Sequence, residues 1–166
     1  MRYLITFSCY GQRLHGDGAG SVDRHHNVPG TPTLEADPQR EAEEARRMRF
    51  PPYSLDHRGR TVVLEALKQV CSQRHWIMLA CHVRSTHVHV IVEGNAKPEK
   101  MMNDLKAYAS RALHLPEPAD RKRWARHGST VWLWNDNAVQ TAIRYLAERQ
   151  GDPMALYVAS DKDSAR

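Results

Sequence analysis

The sequence predicts an α+β fold in which an antiparallel sheet is flanked by helices. Two patterns carry that reading. Short runs enriched in β-forming residues lie at Tyr3–Tyr10, Trp76–Val83 and His87–Glu93, the last two separated only by Arg84, Ser85 and Thr86. Between and after them come segments with apolar residues at helical spacing. So short a link joins antiparallel neighbours, and the element order β, α, α, β, β, α, β, α suits one layered sandwich.

Each element follows from local chemistry. Tyr3–Tyr10 alternates as a first strand. Gly11–Thr33, heavy in Gly, His, Asn, Asp and Pro, is a long loop, a length usually tied to function or disorder. Asp37–Phe50 is laced with Glu and Arg at i,i+3 or i,i+4 and reads as a solvated helix, stopped by Pro51 and Pro52. Asp56–Arg74 carries Val62, Val63, Leu67 and Val70 at core-packing intervals. After the two central strands, Pro98–Leu115 is a second amphipathic helix, ended by Pro116 and Pro118. Arg121–Arg126 is a basic connector and Ser129–Trp134 is β-rich. Asn135 or Asp136 caps a last helix, Ala138–Gln150, which Gly151 and Pro153 close; Ala155–Val158 adds a short strand. The expected organisation is one domain over residues 1–158 and a tail over 159–166.

Composition narrows the function classes. At 41% hydrophobic and 26% charged, 166 residues suffice for one real core. No apolar run approaches the roughly 18–20 residues of a membrane span, and no signal-peptide pattern opens the chain, so a cytoplasmic protein without membrane contact is expected. Cys9, Cys71 and Cys81 form no CxxC and read as small buried hydrophobes. The net charge of +5 favours a polyanionic partner. From Lys97 to Arg126 eight basic residues face four acids.

The sharpest motif is THVHVIVEG at Thr86–Gly94. On a strand His87 and His89 share one face while Val88, Val90 and Val92 share the other, so two imidazoles about 6–7 Å apart at Cα converge on one ion. A divalent ion so held polarises a phosphate oxygen, and two protein ligands leave coordination positions open for substrate. The bland alternative is a half-buried strand with two exposed histidines. A histidine-triad hydrolase would need a third histidine where Ile91 stands, and a zinc site from Cys81, His82, His87 and His89 matches no usual finger spacing.

The last helix supplies a second signal. Ala138, Val139, Ala142, Ile143 and Leu146 make its apolar stripe, and Tyr145 lies on the stripe's edge, its ring against the core and its hydroxyl toward a cleft. A boundary tyrosine with a satisfied hydroxyl is the plainer alternative. Tyrosine suits phosphoryl transfer that conserves a phosphodiester's energy. An ordinary phenol, with its pKa near 10, is only about one part in a thousand ionised at neutral pH, a deficit of roughly 4 kcal/mol that a cation and an activated phosphate offset.

His–hydrophobic–His on a strand, then a helix tyrosine 56 residues beyond His89, resembles the HUH single-tyrosine transposases, the insertion-sequence-200-like group that includes the repetitive-extragenic-palindrome-associated tyrosine transposases. The likeness runs through YLITFSCYGQRLHGDGAGSVDRHHN, CHVRSTHVHVIVEG, RHGSTVWLWND and AIRYLAERQG. It implies a ferredoxin-like sandwich of the HUH endonuclease type, with magnesium or manganese on His87 and His89. It also implies that Tyr145 attacks the scissile phosphate of single-stranded DNA beside a folded hairpin, leaving a 5′-phosphotyrosine. Members often carry Gln or Asn four positions after the tyrosine as third ligand. Here that position is Arg149, and Glu148 and Gln150 both remain candidates, Glu148 by helical phase and Gln150 by chemistry.

Lys106, Arg111, Arg126, His127 and Arg149 are the expected DNA contacts, while Tyr108 reads as structural or as a base-stacking contact. Trp132 and Trp134 read as core, and loop histidines His15, His25 and His26 as incidental or near DNA. Two rivals stay open: a non-cutting hairpin DNA-binding protein on the same fold, and a metal-dependent phosphohydrolase that uses water. Whether Tyr145 serves its own chain's histidines or those of a second copy in a homodimer is also open.

Overall fold

The computed structural model describes residues 1–12, 14, 36–113 and 120–160. Among them are nine elements: β1 (Arg2–Ser8), α1 (Pro38–Arg46), α2 (His57–Gln73), β2 (Ile77–Val83), β3 (His87–Glu93), α3 (Pro98–Ala112), β4 (Ser129–Trp132), α4 (Asp136–Glu148) and β5 (Ala155–Val158). The strands form one antiparallel sheet in the order β4-β1-β3-β2-β5. The series β1-α2-β2-β3-α3-β4 with sheet order β4-β1-β3-β2 is the ferredoxin-like arrangement, so the expected fold class stands. To it the chain adds α4 and a fifth strand. Most of the expected early loop, with His15, His25 and His26, lies outside the described residues.

Alternation decides which side chains face which helices. Tyr3, Ile5 and Phe7 of β1 and Val88, Val90 and Val92 of β3 point to one side, where Val63, Leu67 and Val70 of α2 and Met101, Leu105 and Ala109 of α3 close over them. Each fully buried aliphatic side chain there contributes about 1.5–3 kcal/mol. On the opposite side a smaller cluster of Ala80, Ile91, Leu133, Val139, Ala142 and Leu146 seats α4. A bulge between Met78 and Ala80 reverses the alternation of β2, so Leu79 and Ala80 both join the α4 side while Met78 and Cys81 face the main core.

Helix ends follow capping chemistry. Asp37 accepts from the amides of Gln39 and Arg40, Asp56 from that of Gly59, and Asn135 from that of Ala138, so Asn135 rather than Asp136 caps α4. Helix α2 stops in a Schellman turn: the Trp76 amide donates to Cys71 O, the His75 amide to Ser72 O, and His75 takes the left-handed conformation at φ 56°.

Candidate active site

His87 and His89 stand on the α4 side of β3, with ring centroids 4.8 Å apart and planes at 80°. The valines between and after them are fully buried on the other side, which fixes the strand and the aim of both rings. Each imidazole is held at Nδ1 by a threonine hydroxyl. Thr6 Oγ1 lies 2.8 Å from His89 Nδ1, and Thr86 Oγ1 lies 3.0 Å from His87 Nδ1. A hydroxyl oxygen that accepts from Nδ1–H leaves Nε2 as the lone-pair nitrogen, the tautomer a metal ligand requires. Thr6 reaches His89 because β1 pairs with β3 at Thr6↔His89. Gly128 lets the chain entering β4 pass close to β1: a Cβ there would sit 2.5 Å from the Thr6 carbonyl oxygen.

Tyr145 lies on α4, whose Ala142 and Leu146 are sealed against the sheet. Its ring centroid is 6.1 Å from that of His89, edge to face at 79°, while the residue stays 42% exposed. The phenol thus sits beside the histidines on a surface that a polymeric substrate can reach.

Of the two candidate third donors, Gln150 is the one placed against a histidine. Its Oε1 is 3.5 Å from His87 Nε2, while Glu148 is exposed on the last residue of α4. Helical phase from Tyr145 holds for Glu148, the last residue of α4, but not for Gln150, because the helix ends between them: Arg149 is the C-cap and Gly151 turns at φ 71°. Among the described residues no group of three or more His, Cys, Asp or Glu gathers to hold a metal. Two threonine-anchored imidazoles and the Gln150 amide oxygen make a neutral nitrogen and oxygen donor set that fits a divalent cation.

The expected DNA contacts fall in different environments. Lys106 is buried, its Nζ donating to the carbonyls of Ala125, Arg126 and His127, with the Phe7 ring 5.6 Å away. Burial pushes its ammonium down to about 8. It therefore braces the basic connector from beneath instead of facing outward. Arg111 is exposed with its guanidinium 4.4 Å over the Tyr108 ring, and Tyr108 donates to Gln73 Oε1, a structural setting for that tyrosine. Arg126, His127 and Arg149 are exposed. The expectation that Trp132 and Trp134 are core is overturned. They are 39% and 77% exposed and stack on each other at 4.9 Å, because β4 is a four-residue edge strand.

Sequence reasoning missed the two threonines, and it met His82 only as a zinc ligand beside Cys81. Cys81 points into the main core, away from His82, so those two do not share a metal. The signal for Thr6 was its place in β1 among Leu4 and Ser8, opposite the apolar Tyr3, Ile5 and Phe7.

A family model described as "Transposase IS200 like" matches residues 53–142, which takes in both histidines and stops three residues short of Tyr145. Two solved structures are similar. One is described as the REP-associated tyrosine transposase bound to a REP hairpin, at 12% identity and TM-score 0.48, covering 87% of this chain and 63% of that one. This chain therefore spans less than two thirds of that relative. The other is assigned as a transposase from Deinococcus radiodurans R1, at 13% identity and TM-score 0.44, covering 86% of this chain and 85% of that one. No curated protein matches the chain.

Proposed function

The chain belongs to the IS200-like transposase family, and on that premise we propose that it is a metal-dependent transposase that cuts and rejoins single-stranded DNA through Tyr145. The observation that carries the reading is the 6.1 Å approach of the Tyr145 ring to His89. His87, His89 and Gln150 would hold magnesium or manganese. When bound, the ion supplies positive charge to a phosphate oxygen. The chain's own residues do the rest. Thr6 and Thr86 hold the rings at Nδ1, and with each hydroxyl accepting from Nδ1–H both Nε2 atoms would face the ion as lone-pair donors. Tyr145 Oη forms a bond to phosphorus as the bond to the 3′ oxygen breaks. The phenol gives up its proton and the departing 3′ oxygen gains one, leaving a 5′-phosphotyrosine and a free 3′-hydroxyl. Attack by a 3′-hydroxyl reverses the step and frees the tyrosine, so rejoining needs no ATP.

Exposed Arg126, His127 and Arg149 are among the cations open to DNA phosphates on this reading. Arg111, exposed but set over Tyr108, is a further contact. Following the likeness in sequence, the partner is a single strand beside a folded hairpin. The test incubates the protein with a hairpin-bearing single strand and manganese, then resolves the products on a denaturing gel. A covalent adduct is expected, and Tyr145→Phe should reduce it by about a thousandfold or more. That variant should fold normally, because the ring keeps its place and loses only a hydroxyl. Cleavage without an adduct would point to a water-using phosphohydrolase, and retention without cleavage to a hairpin-binding protein.

A further inference from the structure

His82 of β2 is fully buried, yet both of its ring nitrogens are engaged. Nδ1 lies 2.9 Å from the carbonyl oxygen of Leu146, and the Met154 amide donates to Nε2 at 3.1 Å. A carbonyl only accepts and an amide N–H only donates, so one neutral tautomer satisfies both, with the proton on Nδ1. Burial, which holds this imidazole below its ordinary pKa, agrees with that neutral form. Leu146 O is one of the last carbonyls of α4, which the helix itself leaves without an i+4 amide near its end, and His82 supplies the missing donor.

Position makes the bridge matter. His82 pairs directly across from His89, so it lies in the same transverse row as the candidate ligand. One of its bonds reaches the residue next to Tyr145. The other reaches the amide just before β5, which returns along β2 from Ala155↔Val83 to Val158↔Ala80. Arg84, the first residue after β2, donates from Nη1 to Asp152 O at 3.1 Å. Only six residues, 149–154, separate α4 from β5. The helix end and its short return are thus fastened to β2 of one chain on both sides of Gln150.

Building on the proposed reading of the site, we infer that His82 is a positioning residue: its two-ended bridge holds Tyr145 and Gln150 in place against His87 and His89 of the same chain. The inference places the phenol in cis, and exchange of α4 between two copies would require breaking the bridge and remaking it on the other copy's β2.

The experiment first mixes two full-length proteins, Tyr145→Phe and the double variant His87→Ala with His89→Ala, with the hairpin strand and manganese. No adduct should form, since neither protein has a complete site. Recovery of adduct to a substantial fraction of wild type would overturn the inference. Next, single-turnover adduct formation is compared with binding of uncut DNA. His82→Leu should lower the rate at saturating DNA at least about tenfold while affinity stays within about twofold. His82→Asn, whose amide nitrogen replaces the Nδ1 donor to Leu146, should recover most of the loss. An unchanged rate in a folded His82→Leu protein would also overturn the inference. Should His82→Leu not fold, nitrogen chemical shifts of the wild-type ring decide: a protonated Nδ1 with a bare Nε2 supports the bridge, and the reverse tautomer removes it. A wild-type protein that makes no adduct at all refutes the functional reading itself, a different outcome from adduct made in trans.

Discussion

Lys106 and His82 are buried on opposite sides of the sheet, and the fold uses them differently. On the α2/α3 side Lys106 is buried beside the Phe7 ring and directs its donors to three consecutive backbone carbonyls. On the α4 side His82 sits in a row with Thr6 and His89, and its two bonds run to the segment that carries Tyr145 and Gln150. The lysine steadies a connector. The histidine ties down the segment that carries the proposed nucleophile and ligand. The comparison teaches a division of labour in which the large apolar side supplies stability and the thin, polar side supplies geometry.

Truncation in the thick core is the harshest way to probe that division. Leu67→Ala should lower unfolding free energy by about 3–4 kcal/mol in urea titrations, because the fully buried side chain leaves a cavity. A loss below about 1 kcal/mol would mean that this side does not dominate stability. On the other side, Thr6→Val should leave stability nearly unchanged but weaken manganese binding about 10–100-fold, measured by calorimetry, since it removes the hydroxyl that orients His89.

The buried lysine yields a pH-linked prediction. Its folded pKa of about 8 lies below the ordinary value of 10.5, so between those two values the unfolded chain holds a proton that the folded chain lacks. Stability from this group is therefore present above the unfolded pKa and is lost as pH falls through about 8. Urea unfolding at pH 8 and pH 10 should show wild type gaining relative to Lys106→Met as pH rises. A parallel pair of profiles would remove Lys106 as the source. The smallest change expected is at His75, whose left-handed backbone is strained for a side chain. His75→Gly should stabilise the protein by about 0.5–1 kcal/mol, read as a higher urea midpoint.

The sequence made one side far more legible than the other. Period-two alternation in β1 and β3 and helical spacing in α2 placed the main core, because those rules act within a few residues. The same rule put His87 and His89 together on one side. It does not act across distance: the short link sets His82 near His89, but nothing local says that His82 bonds to Leu146, 64 positions away. Gln150 escaped helical phase because α4 ends at Glu148. Trp132 and Trp134 kept their shared direction, but edge position and strand length left them exposed, and neither is written in a period. Lys106 looked like a phosphate contact because charge is visible in sequence and burial of a polar head is not.

Pairing between β1 and β3 has a further consequence. Thr6 meets His89 only in the observed alignment, and moving β1 by one residue would set Phe7 or Ile5 across from that imidazole, with side chains pointing the opposite way. Strand alignment and the aim of that imidazole are thus one and the same: a chain folded one notch out of step would lack the hydroxyl held against His89.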